Sequence, residues 1–156
     1  MTTAIASLIE QGAARLAPLT DRSRHEAELL LGAALGRSRA SLLANPEERI
    51  IDRTATDRYA AWLDRRAQGE PVAYLLGEKE FWSLTLEVTP DVLIPRPATE
   101  LAVERSLLHL PRDGAAYVLD VATGSGAIAL ALAQERPQAR LLGTDVSPAA
   151  LQVARR

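Results

Sequence analysis

One stretch in the second half of the chain, VLDVATGSGAIALALA at positions 118–133, limits the possible folds more than any other. Branched apolar residues run into a glycine-rich turn, and the turn runs without a break into an apolar, helix-forming segment. A chain passes that abruptly from strand to helix only through a tight bend. Glycine, lacking a Cβ, adopts the left-handed backbone such a bend demands. Gly124, Gly126 and Ala129 stand at the GxGxxA spacing in which a ligand approaches bare backbone at a helix N-terminus. The spacing alone is weakly specific. It gains weight from the succession of elements after the glycines: a helix over 125–135, a strand over 140–143, and Asp145 at that strand's end. An acid about twenty residues beyond the glycines is placed to accept hydrogen bonds from ribose hydroxyls. A further helix opens at Ser147 or Pro148. Together these make a βαβ unit whose strands, at 116–121 and 140–143, run parallel through a right-handed crossover.

Two ligands suit such a bend, a dinucleotide and S-adenosylmethionine, and Asp120 discriminates between them. It stands at the C-terminal end of the first strand, directly before the bend, so its carboxylate is expected to face the ligand crevice. A pyrophosphate there would meet a like charge. S-adenosylmethionine has no phosphate and carries a sulfonium and an ammonium, so the acid assists it. The DxxTGSG pattern therefore favours the methyl donor, with a nicotinamide-dependent oxidoreductase as the alternative.

Ahead of this unit the texture is helical. Ile5, Leu8, Ile9, Ala13 and Leu16 recur at three and four, the period of a helix over 2–16 with one buried face, and Pro18 ends it. Ser23 and Glu26, at capping-box spacing, predict a second helix from Ser23 to Gly36. A short third covers 39–43. Tyr59, Trp62 and Leu63 mark the inward face of a fourth over 51–68, closed by Gly69. These helices make a small bundle over residues 1–70. Phe81, Leu84, Leu86 and Val88 then partly alternate, with Gly77 between two apolar stretches, which predicts a hairpin in a connector over 71–90. Pro95 and Pro97 hold the next segment extended before a helix over 98–110. Residues 91–156 form the beginning of the α/β domain.

Composition excludes several function classes. Apolar residues make up 47% of the chain and the formal net charge is −2, so neither a disordered chain nor a bulk polyanion binder is indicated. The absence of cysteine removes disulfides and thiolate chemistry. The N-terminus lacks the pattern of a signal peptide and no run is long enough to span a bilayer, so a cytoplasmic location is expected. His25 and His109 stand alone, which argues against a metal. The arginines of the first helices alternate with Glu26, Glu28, Glu47 and Glu48, the pattern of a solvated face and not of a nucleic-acid surface. Phe81 and Trp82, being on a hairpin, are read as packing residues at the joint between domains.

The order PVAYLLG, EFWSL, LIPRPATE, DVATGSGAIALALAQERP and GTDVSPAAL resembles the release factor glutamine methyltransferases, the PrmC/HemK family, over essentially the whole chain. The bend is shared by many methyltransferases; EFWSL ahead of IPRPxTE is close to diagnostic. The resemblance implies a fold class of α + α/β: a small N-terminal helical bundle that docks the release factor, a β-hairpin linker, and the start of a Rossmann-like S-adenosylmethionine methyltransferase domain. It implies methylation of the glutamine side-chain amide in the GGQ motif of class I peptide chain release factors, by a monomer. Ala122, Thr123, Gly124, Ser125 and Gly126 would line the donor and Asp145 would hold its ribose. Arg96, Pro97, Thr99 and Glu100 would border the cleft where donor and glutamine meet.

The sequence departs from the family at Ala122, where glycine is usual, and at Ala98, where an acid is usual. A positive φ at Ala122 would cost on the order of 1 kcal/mol. The Asn-Pro-Pro-Tyr motif with which the family holds the acceptor amide does not occur. A domain truncated before that motif is expected to be inactive, and a non-catalytic release factor docking fragment is a further reading.

Overall fold

The computed structural model describes residues 3–156. The chain divides after Leu76 into two compact units. In the first, a short strand β1 (Thr3–Ala4) precedes α1 (Ile5–Leu16), α2 (Ser23–Leu35), α3 (Arg39–Ala44), a second short strand β2 (Arg49–Ile50), α4 (Arg53–Ala67) and α5 (Val72–Leu76). The three-and-four spacing in α1 is realised in part: Ile5, Ile9 and Leu16 are buried, Leu8 and Ala13 are half-buried, and Gly12, outside the predicted set, is buried as well. Ile5, Ile9 and Leu16 join Leu30, Leu31, Leu42, Tyr59, Leu63 and Leu75 in one core, each large aliphatic side chain contributing about 1.5–3 kcal/mol. Gly12 permits a close helix approach, since a Cβ there would stand 2.0 Å from the Tyr59 hydroxyl and 3.1 Å from the Ala27 Cβ. That hydroxyl donates to the Leu8 carbonyl at 3.1 Å, and burial pushes the phenol pKa well above its ordinary value.

Several local expectations change. The helix expected over 2–16 starts at Ile5, because Thr3 and Ala4 pair antiparallel with Ile50 and Arg49; Thr2 lies outside the described residues. Ser23 and Glu26 form no capping box. Ser23 is the first helical residue, Arg22 occupies the cap without a side-chain bond, and Glu26 accepts instead from Arg66 Nε at 2.7 Å. Gly36 does end α2 in the left-handed conformation, at φ 64°. Glu28 is 2% exposed and is compensated by Arg39 Nε at 2.5 Å and Arg24 Nε at 3.3 Å. Arg58 lies over the Trp62 ring, 5.5 Å from its centre.

The second unit contains an antiparallel hairpin of β3 (Glu78–Phe81) and β4 (Leu84–Glu87), a single 3₁₀ turn over Pro97–Thr99, α6 (Glu100–His109), β5 (Tyr117–Val121), α7 (Ala127–Glu135), β6 (Arg140–Thr144) and α8 (Pro148–Ala154). The hairpin is shorter than predicted. Residues 72–76 are helical, and Val72, Leu75 and Leu76 join the core of the first unit. Gly77, at φ 76°, stops that helix and does not turn the hairpin. The turn is Trp82–Ser83, at φ 51° and 60°, a two-residue loop with left-handed backbone at both positions. Phe81 and Leu86 pack with Val103 of α6 and Ala127, Ala131 and Leu132 of α7, so the aromatic packing lies within the second unit itself.

β5 and β6 are parallel, with Asp120 opposite Gly143 and Val121 opposite Thr144. Alternation separates two faces of this pair. Val118 and Leu141 belong to the core that α7 covers. Tyr117, Leu119, Val121 and Leu142 point the other way and are between 59% and 81% exposed.

Candidate functional site

The bend joins β5 to α7, and its backbone explains its composition. Ala122, Gly124 and Gly126 have φ of 62°, 57° and 81°, three left-handed residues within five. Glycine is suited to two of these positions. Ala122 takes its place with a methyl group, so the cost anticipated for a positive φ applies here. A Cβ at Gly124 would meet nothing within 4 Å, which leaves this backbone open to an approaching group.

Two carboxylates hold the bend. Asp145, just past β6, accepts from the Gly124 amide through Oδ2 and from the Ser147 amide through Oδ1, each at 2.9 Å. The backbone N–H groups of Ser147, Gly124 and Val146 keep its carboxyl below the usual aspartate range. Ser147 in turn caps α8, its Oγ accepting from the Ala150 amide at 3.2 Å, with Pro148 at the first helical position. Asp120 accepts from the Thr123 hydroxyl through Oδ2 at 2.6 Å. Its Oδ1 has no donor among the described residues. The Thr123 amide donates to the Thr144 carbonyl at 2.9 Å and the Gly126 amide to the Thr123 carbonyl at 2.8 Å. Thr123 and Ser125 are buried, at 9% and 6% exposure.

Hydrogen bonds tie Asp120 to Thr123, Thr123 to Gly126 and Gly124 to Asp145; with Ala122 and Ser125 between them, these residues, separated by up to 25 positions, gather at the C-terminal ends of two parallel strands, where ligands of open α/β sheets bind. Arg96, Pro97, Thr99 and Glu100 behave differently. No hydrogen bond joins them to the bend among the described residues. Glu100 Oε1 accepts from the Trp82 amide at 3.0 Å, and Glu135 Oε1 accepts from the Trp82 indole Nε1 at 2.9 Å, so these acids anchor the hairpin turn.

A cavity of about 370 Å³ opens beside Ser125, walled by Leu86, Leu130, Val153 and Ala154. A larger one, about 760 Å³, lies by Leu107, Leu110 and Arg136 and includes no bend residue. Chemistry, not volume, therefore marks the site. The sequence reading missed Gly143, against which Thr123 is packed. A glycine inside a strand signals close approach of another group, and that signal was present.

A helical unit followed by a βαβ unit with an acid-flanked glycine bend defines the class: a methyltransferase domain preceded by a helical domain. Residues 7–77 match the PrmC N-terminal domain family and residues 118–156 match a methyltransferase domain family. The chain is 50% identical over 140 residues to a release factor glutamine methyltransferase of Coxiella burnetii, covering 90% of this chain and 50% of that protein. A protein of the same description from Burkholderia pseudomallei is 50% identical over 131 residues, 84% of this chain and 46% of the relative. The Escherichia coli protein so described is 45% identical over 137 residues, 88% and 49%. The chain thus carries a PrmC N-terminal domain and a methyltransferase domain and is similar over most of its length to release factor glutamine methyltransferases, spanning about half the length of the curated relatives it matches.

Proposed function

We propose that the bend binds S-adenosylmethionine for methylation of the side-chain amide nitrogen of the glutamine in the GGQ motif of class I release factors, a reaction to which these residues contribute donor binding, with the first unit docking the release factor. The observation that carries this reading is the Asp120 carboxylate beside the bend, one oxygen held by Thr123 and the other without a donor among the described residues. An anionic ligand would be repelled there and an ammonium attracted. The residues present suit the donor: a backbone at Gly124 with open space where a Cβ would stand, an acid for a cationic tail, and in Asp145 a carboxylate whose remaining lone pairs can accept from ribose hydroxyls. The bound donor supplies an electrophilic methyl group on a cationic sulfur. The role of these residues is to bind and orient it, because an in-line displacement depends chiefly on alignment and exclusion of water.

Arg96, Pro97, Thr99 and Glu100 border the acceptor cleft in this proposal, Glu100 indirectly through the hairpin turn. The sequence contains no Asn-Pro-Pro-Tyr motif to accept hydrogen bonds from the amide NH2, and we expect these 156 residues to transfer no methyl group. The protein acts in the cytoplasm as a monomer. The test is an NMR titration of the chain with S-adenosylmethionine and with NAD. Shifts at Gly124 and Ser125 with the first ligand alone support the reading, whereas a preference for NAD overturns it in favour of hydride chemistry. Methyl incorporation into a release factor by this chain would overturn the expectation of inactivity.

A further inference from the structure

We propose that Thr123 is a positioning residue whose hydroxyl fixes the carboxylate of Asp120 for a ligand's ammonium group, and that Gly143 is the residue that makes room for it. The proposal rests on the reading of the bend as an S-adenosylmethionine site and changes the part Thr123 plays there, from lining the donor to orienting the acid that meets it.

Three bonds hold Thr123. Its amide donates to Thr144, its carbonyl accepts from Gly126, and its hydroxyl donates to Asp120 Oδ2 at 2.6 Å. The last is the short O–H···O contact expected when the acceptor is a carboxylate. The side chain therefore turns back toward the strands and is 9% exposed. Rotating the hydroxyl toward a ligand would cost it this partner.

Gly143 lies opposite Asp120 in the β5–β6 register. A Cβ built on it would stand 3.0 Å from Thr123 Oγ1, 3.1 Å from Cγ2 and 3.2 Å from Cβ, tighter than ordinary van der Waals contact. Its backbone is not left-handed, unlike that of the bend glycines. Space, not conformational freedom, is what this glycine provides.

A carboxylate with both torsions free must be ordered when a cation binds, at an entropic cost to affinity. With Oδ2 anchored by Thr123, Oδ1 already has a fixed direction, and that ordering is completed on folding. Only a ligand group that meets Asp120 benefits, so the effect is confined to ligands carrying a cationic tail.

The experiment is an NMR titration of the chain and its variants with three probes. S-adenosylmethionine and S-adenosylhomocysteine both carry the amino-acid ammonium, and 5′-methylthioadenosine lacks it. Thr123→Val, which keeps the shape and removes the hydroxyl, is expected to weaken the first two alike by about tenfold, the usual scale for a charge-assisted hydrogen bond, and to leave the third unchanged. Thr123→Ser should restore affinity, and Gly143→Ala should reproduce the valine pattern. Equal weakening of all three probes by Thr123→Val, or failure of serine to rescue, would overturn the positioning role. Absence of any binding to the unsubstituted chain would instead overturn the ligand assignment beneath it.

Discussion

At the scale of single residues, the bend carries a strain that its own sequence could relieve. Ala122 holds φ 62° with a methyl group where a glycine would meet no steric cost. Replacing it removes a penalty of about 1 kcal/mol and adds some unfolded-state entropy, so Ala122→Gly is expected to stabilise the second unit by roughly 0.5 kcal/mol. Urea unfolding followed by circular dichroism measures it, and a loss of stability would show that the methyl packs usefully. Asp145 gives a pH dependence. Its carboxyl is held below the usual range by the amides of Ser147 and Gly124, so the ionised form is the one the fold favours. Its contribution is complete above the ordinary aspartate value of about 3.9 and is lost as the pH falls through the depressed folded value. The Gly124 and Ser147 amide resonances should accordingly titrate together with a midpoint below about 3.9, and Asp145→Asn should abolish that titration. The carboxylates were legible as residues, Asp120 from its place near the end of one strand and Asp145 from its place just past the next. The hydrogen bonds that join them to Thr123 and Gly124 were not, because spacing along a chain carries no information on which side-chain oxygen meets which donor.

At the scale of elements, the βαβ unit was readable because three independent signals agree: strand-forming residues, a glycine bend, and an apolar helical run. The hairpin shows where such reading fails. Its turn contains no glycine, and the nearest glycine, Gly77, serves to stop a helix. Trp82 and Ser83 take left-handed backbone because the tertiary setting outweighs their preference, with Glu100 and Glu135 each binding a Trp82 N–H. Ser83→Gly should therefore raise stability by about 0.5–1 kcal/mol without altering the register Phe81 to Leu84. Denaturant midpoints and the cross-strand contacts of those two residues in NMR check both halves of the statement. The β1–β2 pair and α5 are too short to carry a period, so nothing in the pattern announced them.

For the whole molecule, the two units differ in how much they bury. The first has Ile5, Leu16, Leu30, Leu31 and Leu42 withdrawn completely from solvent, whereas the second has Leu132, Val88 and Val103. The second also leaves one face of its parallel pair bare at Tyr117, Leu119, Val121 and Leu142, a face that sheets of this type ordinarily cover. The expected outcome is unfolding in two calorimetric steps, with amides of β5 and β6 exchanging with deuterium before those of α1 and α2. A single cooperative transition would contradict it. A parallel pair with a helix on one side only cannot bury both of its faces, which follows from its having two strands.

The chain's two tryptophans are distributed one to each unit, Trp62 under the Arg58 guanidinium and Trp82 bonded to Glu135. Each indole thus sits beside a charged group that alters the energy of its excited state. Fluorescence from Trp62→Phe and Trp82→Phe variants would let the loss of order in either unit be followed by its own emission, with no attached dye.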